Sequence, residues 1–268
     1  MLEQKFTDLK DYLKSLGSIA VAYSGGVDST FLIKVAYDVL GDQAIAVTAR
    51  SSTYPEREFH EAVRYIEEIG ARHIVIESEE LDIQGFSDNP TNRCYYCKKE
   101  LFQKVGEVAK EQGIQYVSDG SNYDDLNDYR PGMQAAQELQ VVSPLKHAKL
   151  RKEDIRALSK QLGLPTWDKP AFACLSSRFP YGHKITREKL SMVEQAEQYL
   201  MDLGFKQLRI RHHEDTARIE IGEKEFDKFL DKDLMRTVSK HFKTLGFTYV
   251  CLDLEGYRTG SMNEVLKS

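Results

Sequence analysis

The first clear apolar run is Ser-Ile-Ala-Val-Ala-Tyr at 18–23, and it stops at Ser-Gly-Gly. A short continuous apolar run bounded by a turn signal predicts a strand buried on both faces. Phe31, Leu32, Val35, Ala36 and Val39 then recur at helical spacing, predicting a helix over 28–40. The same alternation continues with strand 44–48, helix 55–69, strand 73–77, helix 98–112 and a strand ending at Tyr116-Val117-Ser118. Residues 141–143 are a further candidate strand, and Arg151 to Leu162 reads as a helix closed by Gly163 and Pro165. Strands alternating with helices predict an α/β fold with a parallel sheet covered on both faces.

The texture changes after residue 183. A helix over 187–203 ends at Gly204, Gln207 to Arg211 and Ala217 to Ile221 alternate like strands, and His213-Glu-Asp-Thr216 between them suits a hairpin turn. Helical stretches over 223–244 precede a strand from Phe247 to Leu254. This predicts a smaller C-terminal α+β domain, with the boundary in the loop 165–185 and the domains taken as 1–180 and 181–268. The loop holds Pro165, Pro170, Pro180 and Gly182, but also Trp167, Phe172, Phe179 and Tyr181. So many aromatics predict a packed loop, and a packed loop at a domain junction is a frequent site of chemistry.

Composition narrows the class. The chain has 268 residues, 41% hydrophobic and 29% charged, enough to bury a real core. No stretch approaches the roughly 18 apolar residues of a membrane span. Met1 to Lys10 is polar and mixed in charge, unlike a secretory leader. A soluble cytoplasmic protein without a membrane partner is expected. Lys and Arg number 37 against 42 Asp and Glu, a net charge of -5. Proteins that grip polynucleotides usually carry a basic surplus, so a small-molecule substrate is expected and a nucleic acid is not. A homo-oligomer is expected. The cysteines Cys94, Cys97, Cys174 and Cys251 point to metal binding or catalysis before disulfides.

The strongest chemical signal is Ser24-Gly-Gly-Val-Asp-Ser29, set between the first strand and the first helix of that alternation. Orphan amides and the macrodipole at a helix N-terminus make an anion site. Gly25 and Gly26 let the backbone bend and approach an oxyanion. Ser24 and Ser29 add hydroxyls, and Asp28 can hold a Mg2+ that bridges phosphates. The usual P-loop lysine is missing. An ordinary glycine turn with an Asp cap is the bland alternative, and the full hexapeptide in this context weighs against it.

The hexapeptide resembles the signature of the PP-loop ATP pyrophosphatases. The resemblance implies a Rossmann-like parallel sheet, ATP cleaved between the α and β phosphates, and adenine lying against Thr48-Ala49-Arg50. The segment Lys149 to Arg156 followed by Leu162-Gly-Leu-Pro165 is similar to a helix common in these enzymes. Further residues narrow the choice: Cys94-Tyr-Tyr-Cys97, the cysteine of Ala173-Cys-Leu-Ser-Ser-Arg178, Arg209-Ile-Arg211 on a strand, and Arg258 in Gly256-Tyr-Arg-Thr-Gly260. Period-two spacing points Arg209 and Arg211 the same way, and converging guanidiniums suit a phosphate monoester. Together these resemble the LarE sulfur transferases, which serve the nickel-pincer cofactor of lactate racemase.

That resemblance covers essentially the whole chain. It implies that ATP adenylates a carboxylate of pyridinium-3,5-biscarboxylic acid mononucleotide, which sulfur then converts to a thiocarboxylate. It implies Cys174 as the sulfur-bearing residue and Arg209, Arg211 and Arg258 as the substrate-phosphate site. Lys169, Ser177 and Arg178 lie near the cysteine in sequence, and nearby cations would favour its thiolate. In a sacrificial scheme Cys174 loses its sulfur and becomes dehydroalanine. In the other scheme Cys94, Cys97 and Cys174 hold three irons of a [4Fe-4S] cluster, whose open iron binds hydrosulfide. Incidental thiols, or half a zinc site with His147 or His183, are blander readings of Cys94 and Cys97. A tRNA thiolase, an amidotransferase-type synthetase and a non-catalytic nucleotide-binding protein are the rivals. Elsewhere Cys251 reads as core packing and Glu197 as a solvated helical face before an acid or base, while His212 and His213 adjoin the arginine pair but are explained equally well by a polar turn. Asp119 to Asn122 could border the nucleotide site, and Asp124-Asp125 reads as a surface turn.

Overall fold

A computed structural model describes residues 2–127, 131–170, 173–258 and 260–261, with the side chains of 126 and 127 left aside. The chain divides into two compact units: residues 1–80 with 92–172, and 81–91 with 173–268. The break falls inside the aromatic loop, and the short segment 81–91 joins the second unit.

The first unit runs α1 (Leu2–Leu16), β1 (Ile19–Ala22), α2 (Val27–Leu40), β2 (Ala44–Arg50), α3 (Glu56–Ile69) and β3 (Arg72–Glu77). It continues with α4 (Arg93–Glu111), β4 (Tyr116–Ser118), α5 (Pro131–Glu138), α6 (Pro144–His147) and α7 (Lys152–Gln161). The four strands pair in parallel in the order β3-β2-β1-β4, and Val142 adds one bridge to Ser118, which is all that forms of the candidate strand at 141–143. Alternate strand residues serve opposite faces. Ile19, Val21, Ala44 and Ala46 pack with α1, α2, α6 and α7, whereas Ala20, Ile45 and Val47 pack with Val105, Val108 and Ala109 of α4. The α/β class and Rossmann-like parallel sheet are as expected.

Two differences matter. The N-terminal segment, to which the sequence pattern assigns no element, forms α1, which buries Leu9, Leu13 and Leu16 along one face. The helix expected from 98 begins at Arg93, which is itself buried, so Cys94 and Cys97 stand inside the first turns of α4.

The second unit runs α8 (Arg187–Asp202), β5 (Leu208–His213), β6 (Thr216–Ile221), α9 (Glu223–Phe229), α10 (Lys232–Thr244) and β7 (Tyr249–Leu252). Thr186 caps α8 and Asp231 caps α10, each accepting from amides of the first turn. The sheet order is β5-β6-β7, with β5 antiparallel and β7 parallel to β6. One face carries Leu208, Ile210, Ala217, Ile219 and Ile221, all buried; Arg209, Arg211, Arg218 and Glu220 share the other. His213 and Thr216 pair at the ends of the hairpin, with Glu214 at φ 58 in the turn.

Candidate active site

The phosphate loop leaves β1 and enters α2 through Gly25 at φ +63 and Gly26 at the N-cap. A Cβ on Gly25 would fall 2.6 Å from the Ala62 Cβ on α3, so the loop requires glycine for space as well as conformation. Ser24 and Ser29 join across the loop, their hydroxyls 3.2 Å apart. Tyr54 donates to the Ser24 carbonyl at 2.9 Å. Lys169 donates to the Gly25 carbonyl at 3.4 Å while pairing with Glu58 at 2.7 Å and Glu61 at 2.9 Å. Gly120, at the carboxyl end of the sheet, closes the other side: a Cβ there would lie 3.2 Å from the Ser29 amide. The segment expected to border the nucleotide site therefore packs on the loop.

Asp28 has one oxygen committed and one open. Its Oδ2 accepts from Lys152 Nζ at 2.6 Å, whereas its buried Oδ1 has no hydrogen-bond partner. Burial raises the Asp28 pKa, opposed by Lys152. A buried carboxylate oxygen without a donor fits a hard cation such as Mg2+, which commonly takes one or two carboxylates and completes its shell from phosphates and water. Lys152 sits in the first turn of α7, so the cation that the loop motif lacks comes from 124 residues further along the chain. The basic segment Lys149 to Arg156 was a usable signal for it, but not for which of its cations would reach Asp28.

Thr48 is buried, donating to the Tyr23 carbonyl at 2.9 Å and lying 2.9 Å from His73 Nε2. Ala49 is half-buried beside it, and Arg50 pairs with Glu56 at 2.8 Å on the surface. Cys94 and Cys97 are three residues apart on α4 and neither is in a disulfide. Cys97 Sγ donates to Glu80 Oε1 at 3.7 Å, and Glu80 is a buried carboxyl whose pKa burial raises. Among the described residues no group of three or more His, Cys, Asp or Glu is gathered to hold a metal ion.

In the second unit Cys174 is half-buried and stands at the entrance of the 3-10 turn Leu175–Arg178. The turn closes when the Ser177 amide donates to the Cys174 carbonyl at 3.0 Å. Arg178, fully buried, folds back over it: Nη1 donates to the carbonyls of Ala173 and, at 2.9 Å, Cys174. Its other nitrogens fork onto Glu197 of α8 at 3.0 and 2.8 Å, and Glu197 also accepts from the Ile210 amide at 3.0 Å. Burial would neutralise Glu197, yet the Arg178 guanidinium holds its pKa below the ordinary value. This corrects the reading of Glu197 as a solvated helical residue: it is buried as the counter-ion of the cysteine turn. The mid-helix position gave no sign of this, since the partner lies 19 residues away.

The three arginines expected at a phosphate site differ. Arg211 is buried, forks onto Glu220 at 2.9 and 2.8 Å, and donates to the Ser177 carbonyl at 2.8 Å and Ser261 Oγ at 2.9 Å. Arg258 pairs with Glu255 at 2.8 Å and Asp253 at 3.7 Å. Arg209 lies over the Tyr257 ring at 5.2 Å, and burial, followed by the neighbouring Arg178, lowers its pKa. The same guanidinium donates to the Leu208 carbonyl at 2.7 Å and stays protonated, as arginine does in proteins. His212 is no turn residue: it is buried on β5 between Phe179 and Phe247, and burial pushes its pKa down to about 4. Cys251 is exposed on β7, opposite Arg218, which corrects its reading as core. Phe172 and Thr259 of the quoted motifs lie outside the described residues.

A family model described as NAD synthase matches residues 1–104. The chain is 41% identical to the pyridinium-3,5-bisthiocarboxylic acid mononucleotide synthase of Lactiplantibacillus plantarum, over 99% of this chain and 96% of that one. An uncharacterized protein of Synechocystis is 46% identical over 99% of both chains. Another, from Methanocaldococcus jannaschii, is 30% identical over 96% of this chain and 98% of its own. Among the described residues no helix is long and apolar enough to cross a membrane.

Proposed function

The chain belongs to the family of the pyridinium-3,5-bisthiocarboxylic acid mononucleotide synthase, and we propose that it is likewise an ATP-dependent sulfur transferase that turns a nucleotide-borne carboxylate into a thiocarboxylate. The full-length likeness to that synthase carries the reading. The open oxygen of Asp28 and the braced turn at Cys174 support it.

The substrate carboxylate attacks the α-phosphorus of ATP, giving a mixed anhydride with AMP and releasing pyrophosphate. Mg2+ at Asp28 supplies charge neutralisation to the phosphates when bound. The amides of the Gly25-Gly26 loop and the hydroxyls of Ser24 and Ser29 orient the phosphates. Lys152, released from Asp28, offers them a further positive charge. Thr48, Ala49 and Arg50 border the adenine. Arg209 takes the phosphate of the substrate, while Arg211 and Arg258 brace the strand and turn around it. The Cys174 thiolate then attacks the acyl carbon and expels AMP, leaving a thioester. Loss of the Cys174 Cα proton with cleavage of its Cβ–S bond frees the thiocarboxylate and leaves dehydroalanine.

Intact mass with iron analysis tests this. Spent protein should weigh about 34 Da less, the mass of hydrogen sulfide lost from cysteine. Cys174→Ala should release pyrophosphate but transfer no sulfur, and Cys94→Ala should remain active. Brown anaerobic protein with about four irons per chain, inactive as Cys94→Ala and unchanged in mass after turnover, would replace this scheme with the three-cysteine cluster.

A further inference from the structure

We infer that the free edge of β7 and the cationic flank of α10 form a docking groove for an extended acidic peptide. In the order β5-β6-β7 the last strand pairs on one side only among the described residues. The Tyr249 and Asp253 amides donate inward, to the carbonyls of Asp215 and Ile219. Alternation along a strand therefore turns the amides of Val250 and Leu252 outward, where they are donors awaiting a partner strand.

Beside that edge lies an open groove of about 550 Å³ that Val250 shares with Lys232, Arg236, Lys240 and Lys243 of α10. The cations occupy the flank of α10 away from α8, to which the helix is tied by the Tyr199–His241 stack at 3.8 Å. Lys232, Lys240 and Lys243 have no acidic partner among the described residues, and Arg236 has Asp233 alone, at 3.3 Å on the surface. A chain with net charge -5 thus carries a cationic row, with Asp233 its one acidic partner among the described residues, beside a strand edge that is unpaired among them.

The spacing selects the ligand. Lys232, Arg236 and Lys240 recur every four residues, about 6 Å along a helix. Alternate side chains of an extended peptide recur about every 6.8 Å. A peptide paired on β7 with an acid at every second position sets its carboxylates along the cationic row. A helical acidic segment matches the charges but leaves the Val250 and Leu252 amides unpaired. Strand addition is a recurring recognition mode, with backbone bonds for affinity and alternate side chains for specificity.

A fluorescein-labelled peptide of about eight alternating Glu and Val residues, titrated by anisotropy against the full chain, tests this. It should bind, weaken as salt rises, and lose about tenfold or more in affinity in Lys240→Glu/Lys243→Glu, whose ATP–pyrophosphate exchange stays intact. The same peptide N-methylated on alternate amides should also lose about tenfold, since it keeps the charge but cannot pair. Equal binding of the N-methylated peptide would overturn strand addition. Bulk tRNA bound with the same dependence on Lys240 and Lys243 would make the groove a nucleic-acid surface. Dissociation of an assembly by Lys240→Glu/Lys243→Glu would assign it to a second copy of the chain.

Discussion

The phosphate loop and the cysteine turn are both short turns leading into helical backbone, yet they are held in opposite ways. The loop takes its shape from neighbours in sequence: a strand end, two glycines and a helix start. It leaves polar atoms uncommitted, with one Asp28 oxygen buried and open. The cysteine turn takes its shape from distant side chains, because Arg178 is fixed by Glu197 and the Ser177 carbonyl by Arg211. Its charges are nearly all spent on one another. A site for a passing anion needs vacant donors, whereas a site for a reacting side chain needs its backbone immobilised. Arginine therefore sits in different surroundings within one unit: Arg178 and Arg211 fork onto buried carboxylates, whereas Arg209 lies over the Tyr257 ring.

The sharpest way to break this comparison is at the loop. Asp28→Asn should fold normally but release pyrophosphate about 100- to 1000-fold more slowly, because charge stabilisation at the phosphates is lost. A folded variant with near-normal release would mean that the open oxygen is not where the metal acts. At the turn the expected damage is to stability. Glu197→Gln leaves Arg178 buried without its counter-ion, a change of about 3 kcal/mol. Denaturant unfolding should register it in full, and ATP binding at the other unit's loop should survive.

The arginines sharpen the contrast further. Arg209→Ala should raise the KM for the phosphorylated substrate about tenfold, or about 1.4 kcal/mol, with little effect on melting. Arg211→Ala should instead lower the melting temperature, since buried Glu220 loses its two-pronged partner and keeps Arg218 alone among the described residues, at 3.1 Å. Matching effects in both variants would erase the distinction. The smallest effect concerns His212. Unfolded histidine protonates near 6.5, whereas His212 stays neutral down to about 4. The unfolded chain therefore binds the extra proton, and stability should fall as pH drops from about 6.5 toward 4, with no contribution above that window. His212→Phe should flatten thermal stability across that range.

The same contrast explains what the sequence disclosed. β1 and β2 of the first sheet were legible because they are buried on both faces and read as unbroken apolar runs. The loop was legible because its parts are adjacent. Lys152, Glu197 and Glu220 were not, since each acts on a residue far along the chain, and a charged residue in a helix or strand looks the same whether it meets water or a buried partner. Cys251 misled for the converse reason: an apolar neighbourhood such as Tyr-Val-Cys-Leu reads as core, yet β7 is an edge strand that shows Cys251 to solvent.

The contact between Gly25 and Ala62 extends the loop's requirements to a helix that carries none of its motif. With their Cβ positions 2.6 Å apart were Gly25 an alanine, the methyl of Ala62 already fills the space available. Position 62 is in effect a further letter of the phosphate-loop signature, written on α3 and invisible to any search for the hexapeptide alone. A lineage could enlarge that residue only by moving the helix, and Lys169, bound at once to Glu58, Glu61 and the Gly25 carbonyl, ties the helix to the loop it would have to leave.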